Sequence, residues 1–180
     1  MLFLESSNED YNKIINVNSN SLIEEIKQRV CYFVENLGLR PPWSRIRIHF
    51  ITSEEMNKKD SNAEGLCYSY GDGYYDIYIR CGYSYLYTKS ILAHEVGHTW
   101  INHNHIVISK MENEGFCQLL AYQMLYSDFS LASNNDMVAL SEWKDKVYGD
   151  GFRLMKVKLD SLGWSQLLLL LQFSFFNPKY

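Results

Sequence analysis

Between residues 45 and 80 this chain carries short strand-like runs, the first of them alternating apolar and polar residues, and from about residue 88 to residue 172 it repeats its apolar residues at helical spacing. That change of period constrains the fold most, because alternation serves the two faces of a sheet and i, i+3, i+4 spacing serves one face of a helix. Arg45–Ile51 alternates as a strand, and Arg45-Ile46-Arg47 reads as its solvated face. Leu66–Tyr70 and Tyr74–Arg80 flank Gly71-Asp72-Gly73, whose glycines suit a hairpin turn. Helical runs follow at 88–102, 112–128, 136–146 and 152–172, the last interrupted near Gly163. Upstream, Asn20–Ser21 opens a helix with Leu22, Ile23, Ile26, Val30, Phe33, Val34 and Leu37 on one face and Gly38 as its stop, and Ser53–Lys59 reads as a short helix. The order is that of an α+β fold, with a small antiparallel or mixed sheet and a helical C-terminal half.

At 180 residues, 47% of them hydrophobic, the chain reads as a single domain able to bury a core without staples. Residues 1–18, polar and Asn-rich, read as a mobile lead-in. A net charge of −4 argues against nucleic acid as a partner. The start MLFLESSNED lacks the form of a secretion signal, and the leucine run 167–171 is too short to cross a bilayer, so a cytoplasmic protein with no membrane partner is expected. Cys31, Cys67, Cys81 and Cys117 form no C-x-x-C pair and are expected as free thiols.

The segment ILAHEVGHTW, residues 91–100, carries the chemistry. On a helix His94 and His98 share a face and present two imidazoles to one ion, while Glu95 is turned off that pair, within reach of a water on the metal. This is the geometry of two zinc ligands and a general base. Catalytic zinc takes a third protein ligand, and the candidates are His103, His105, Glu112, Glu114 and Cys117. A third histidine would be required at position 104, which is Asn, so His103 and His105 read as closing the helix. Glu114, ahead of a following helix, completes a His₂Glu set, and Glu112 then falls outside the metal or behind a ligand.

ILAHEVGHTW, then NEGFCQLLAY, then VYGDGFR at 147–153 resemble successive blocks of the DA1-like peptidase domain, a metallopeptidase module named after a plant ubiquitin-linked growth regulator. Gly65-Leu66-Cys67 is similar to that family's approach to the active helix, so the resemblance spans about 65–177. It implies a zincin-like fold and a gluzincin-type zinc peptidase acting on a peptide or protein, with a metal-activated water and Glu95 as general base. Asn113-Glu114 stands where the family commonly has two glutamates, and resembles the N-E-G-F-A block of zinc aminopeptidases, which supports Glu114 as ligand. The ubiquitin-interacting and LIM modules of the plant proteins have no counterpart in residues 1–64, so a ubiquitin-pathway link rests on the resemblance alone.

Tyr148, which opens YGDGFR, is the candidate oxyanion donor, with Arg153 as a substrate-carboxylate or structural partner. Asp150 and Glu112 are candidates for fixing the histidine tautomers, and a simple turn is the alternative reading of the Gly149 and Gly151 pair. Two other readings are a peptide-deformylase-like hydrolase using Cys67 as ligand, and a protein-binding module with a structural zinc. The tyrosines of 68–87 either line a substrate groove or pack across strands, with Tyr74–Arg80 as the edge strand that would pair with substrate.

Overall fold

A computed structural model describes residues 12–127 and 131–173. Helix α1 (Asn20–Asn36) buries Ile23, Ile26, Val30 and Val34, the stripe its sequence spaces at 3.6 residues, and Gly38 ends it at φ 97°, a backbone geometry that favours glycine. Strand β1 (Ile46–Ile51) follows, then α2 (Ser53–Lys59), β2 (Gly65–Ser69) and β3 (Tyr75–Arg80). Four helices complete the chain: α3 (Tyr85–His103), α4 (Lys110–Tyr126), α5 (Leu131–Glu142) and α6 (Tyr148–Phe173). The architecture is α+β.

The sheet is mixed, in the order β1-β3-β2. Strands β2 and β3 form the expected antiparallel hairpin, while β1 runs parallel to β3, with Ile48 opposite Ile77. Tyr74–Arg80, expected at the edge, is therefore central. The connection through α2 and β2 returns the chain beside β1 in the same direction, and both sides of β3 are taken. The exposed edges are β1 and β2.

One face of the sheet packs Ile77 and Ile79, both fully buried, into the core around α3. The other carries Asp76, whose carboxylate accepts from Arg47 Nε (2.8 Å) and a second guanidinium nitrogen (2.9 Å), from His49 Nε2 (3.0 Å) and from Tyr70 Oη (2.8 Å). On that face Tyr78 stacks on His49 at 4.7 Å and meets the edge of Tyr68 at 5.7 Å. The tyrosines here are cross-strand packing, as the blander of the two expectations had it.

Glycines set how closely the helices approach. A Cβ on Gly97 of α3 would lie 2.9 Å from Cys117 Sγ, and one on Gly115 of α4 would lie 2.2 Å from the Gly151 carbonyl oxygen. The Gly149 and Gly151 pair is thus no turn: both lie in the first turn of α6, and Gly151 lets α6 touch α4 backbone to backbone. Helix α6 is broken at Gly163 (φ 74°), close to the expected interruption. Beyond it Leu167, Leu168 and Leu171 are buried while Leu169 and Leu170 are half-exposed, as one face of a surface helix requires. No described helix is long and apolar enough to cross a membrane.

The lead-in expected over 1–18 is corrected in part. Ile15 is fully buried, its N–H donates to the Tyr83 carbonyl (2.8 Å), and Ile14 pairs with Ser84. Residues 1–11 lie outside the described residues. All four cysteines are free thiols.

Candidate metal centre

Helix α3 begins one turn earlier than its apolar spacing suggests, because the Ser84 hydroxyl accepts from Tyr87 N–H and caps it. It runs through the core, and all but a few of its residues are buried. His94 and His98 face α4 from successive turns, and their Nε2 atoms lie 3.1 Å apart. From α4, Glu114 brings Oε2 to 3.4 Å from each of those nitrogens. Helix α4 starts at Lys110 through a capping box: Ser109 Oγ accepts from Glu112 N–H (3.2 Å) and Glu112 Oε2 accepts from Ser109 N–H (3.1 Å).

That cap engages one of the two candidate glutamates. Glu112 Oε2 is spent on Ser109 and its Oε1 accepts from Lys158 Nζ (3.0 Å), so it is not the residue that fixes a histidine. Nor is Asp150, which pairs with Arg153 at 2.5 Å. The partners are two amides that sequence reasoning passed over. His94 Nδ1 lies 2.8 Å from Gln118 Oε1, and His98 Nδ1 lies 2.8 Å from Asn113 Oδ1. The signal was present: Gln118 is a polar residue buried in an apolar run, one helical turn after Glu114.

An amide oxygen only accepts, so each Nδ1 carries its ring's proton and each Nε2 is left with a lone pair. Two nitrogen lone pairs and a carboxylate oxygen then converge. Glu114 Oε2 is buried and has no hydrogen-bond partner among the described residues. Such a cluster requires positive charge. Burial by itself would raise the Glu114 carboxyl, but the two imidazoles hold it well below the usual carboxylate range. Burial opposes charge on His98, yet Cys117, Glu114 and Glu95 together push its pKa well above the ordinary value. A proton answers part of that demand, whereas a divalent cation serves all three atoms at once. The residues fit zinc: bonds of about 2.0–2.1 Å in a tetrahedron set ligand atoms roughly 3.3 Å apart, against 3.1, 3.4 and 3.4 Å here.

Cys117 offers a second triad, since ligand atoms of His94, His98 and Cys117 lie within 4.8 Å of one another. Its Sγ, however, is 3.4 Å from His98 Nδ1, the nitrogen already committed to Asn113. The Glu114 triangle is tighter and uses the free nitrogens. Cys67, the thiol of the deformylase-like reading, is not part of the His94, His98 and Cys117 group, and burial, then Glu95, raises its pKa to about 12. His103 packs edge-on to Tyr75 at 6.4 Å, and His105 takes φ 53° just beyond the end of α3, so both close the helix as expected.

A cavity of about 660 Å³ opens beside this cluster, lined by His94 and Glu95 and walled by β2, α3, α4, α5 and Tyr148. Glu95 is only 6% exposed, and burial, partly offset by His94 and His98, raises its carboxyl. Gly65 sits directly over it, where a Cβ would come within 2.5 Å of Glu95 Oε1. Tyr148 stacks on Trp143 at 5.2 Å in the opposite wall. Arg153 does not line the cavity. It donates to the Trp143 (2.9 Å) and Ser141 (3.2 Å) carbonyls and is a structural clamp on the end of α5.

Residues 74–142 match the family model DA1-like, described as Protein DA1. The match includes the α3 and α4 motifs but is narrower than the 65–177 expected, leaving out both Gly65–Cys67 and the YGDGFR block. No curated protein and no solved structure matches the chain. The matched segment runs from the hairpin turn to the end of α5 and holds His94, Glu95, His98 and Glu114.

Proposed function

We propose that the chain is a zinc-dependent peptidase in which His94, His98 and Glu114 hold the metal and Glu95 is the general base. One observation carries this reading: Glu114 Oε2, buried without a hydrogen bond, faces two imidazole nitrogens at 3.4 Å. Zinc bound there would polarise a peptide carbonyl and make a water acidic near neutral pH.

The chain's own groups do the rest. Glu95, almost fully buried at the cavity wall, has its carboxyl raised in the direction that lets it both take a proton from water and return it to the leaving amine. Gln118 and Asn113 hold the two imidazoles in the ligating tautomer. Strand β2 is the edge beside the cleft. Arg80 N–H donates to the Glu64 carbonyl and Leu66 pairs with Tyr78, so Glu64 and Leu66 turn their backbone groups to β3, and Gly65 and Cys67 turn theirs outward. An extended substrate peptide pairs there rather than along β3. Tyr148, which lines the same cleft, would donate its hydroxyl to the developing oxyanion.

The test compares zinc-loaded wild type with Glu95→Gln on a broad peptide library. Cleavage should fall about 10²–10⁴-fold with zinc content unchanged. Equal cleavage by the variant removes Glu95 from the mechanism, and no cleavage by either protein favours the binding module with structural zinc.

A further inference from the structure

The cavity has a second wall that the proposed chemistry leaves unused. Beyond His94 and Glu95 it is lined by Asp60 and Glu64, from the segment entering β2, and by Asp136 of α5. Among the described lining residues there is no lysine or arginine. Arg80 of β3 lies against the segment entering β2, its guanidinium donating to the Ala63 (2.9 Å), Ser61 (3.0 Å) and Asp60 (3.5 Å) carbonyls and to Asn57 Oδ1 (3.0 Å). Glu64 Oε2 accepts from Tyr87 Oη at 2.7 Å, and the Tyr83 hydroxyl lies beside the same carboxylate. Asp136 is partly desolvated, and burial alone raises its carboxyl. Between this wall and the metal cluster run Leu66, Ile91 and Ser90, an apolar stretch with one hydroxyl.

We infer that the cleft selects a substrate residue with a long cationic side chain, lysine or arginine, whose head meets Glu64 and Asp136 while its stem lies along Leu66 and Ile91. The inference rests on the peptidase reading for its reaction but not for its binding chemistry.

Spacing separates a side chain from the other common source of positive charge, a free amino terminus. Tyr87, which carries Glu64, precedes His94 by seven residues, about 10 Å along α3. An α-amine next to the scissile carbonyl lies only about 2.5 Å from it and falls short of Glu64. A lysine stem adds about 6 Å and keeps its methylenes on apolar surface while the head stays with polar partners. The wall carboxylates also repel an acidic residue at that position.

The test uses zinc-loaded Glu95→Gln protein and fluorescent N-acetylated peptides in which lysine, norleucine or glutamate is scanned through the four positions about the central bond. At one position lysine should bind about tenfold tighter than norleucine and glutamate more weakly than either, with the lysine advantage shrinking as salt rises. Adding Glu64→Gln and Asp136→Asn should bring lysine to within twofold of norleucine. An unacetylated norleucine peptide should gain nothing. Equal binding of lysine and norleucine, an advantage that survives the two neutral substitutions, a gain from the free amine alone, or no peptide binding would each overturn the inference. Cleavage by wild type is read separately. Charge-selective binding without cleavage sinks the peptidase reading and keeps the cationic cleft, and cleavage without charge selection does the reverse.

Discussion

Two carboxylates with oxygens shut away from solvent sit in opposite company. Asp76, on the outer face of the sheet, is 4% exposed and accepts four hydrogen bonds, two from Arg47 and one each from His49 and Tyr70. Glu114, on α4, has an oxygen equally shut away whose near neighbours are two nitrogens with lone pairs of their own. A buried charge surrounded by donors contributes to the fold and asks for nothing more. One surrounded by acceptors keeps its cost until a cation arrives, which marks the second region as a site and the first as scaffold.

If that contrast is right, substitutions on the two sides move different observables. The largest effect on stability belongs to Asp76→Ala, which removes the acceptor shared by Arg47, His49 and Tyr70 and should cost about 2 kcal/mol in denaturant unfolding with zinc content untouched. The sign with pH follows from its depressed pKa: although burial opposes it, the bonds from His49, Tyr70 and Arg47 hold the carboxyl below its ordinary value. Its contribution is therefore complete above about pH 4, is lost as pH falls through the lowered value, and disappears from the acid limb of the alanine variant's stability curve. Loss of zinc from Asp76→Ala would erase the distinction.

Next come Gln118→Ala and Asn113→Ala, each expected to weaken zinc binding about 10–100-fold, measured by competition with a chromophoric chelator. No change in either would mean that the tautomers are set by something else. The smallest effect sharpens the choice between neighbours on α4. Glu112→Ala should cost about 1 kcal/mol through the Ser109 cap and leave zinc affinity as it was.

How far the sequence carried varies with the range of the interaction. The α1 stripe, the β2–β3 hairpin and the histidine pair are written in residues at most four apart or joined by a short turn, and all lie where their spacing puts them. Strand order is not local, so alternation at 74–80 could announce a strand without saying that β1 would take its other side. Asp150 and Glu112 were misread for the converse reason. Each has a partner three residues away, Arg153 and Ser109, and those short-range bonds win over a reach to the histidines. The meeting of Glu114 with His94 and His98 depends on how closely α3 and α4 cross, which Gly97 permits and no local pattern reveals.

The central claim is that Glu114 completes the metal site, and zinc affinity measured side by side on wild type, Glu114→Ala and Cys117→Ser tests it most directly. The account predicts about one tightly held zinc per wild-type chain, a loss of at least about 100-fold in affinity for Glu114→Ala and retention in Cys117→Ser. Full zinc binding by Glu114→Ala together with loss in Cys117→Ser would contradict it.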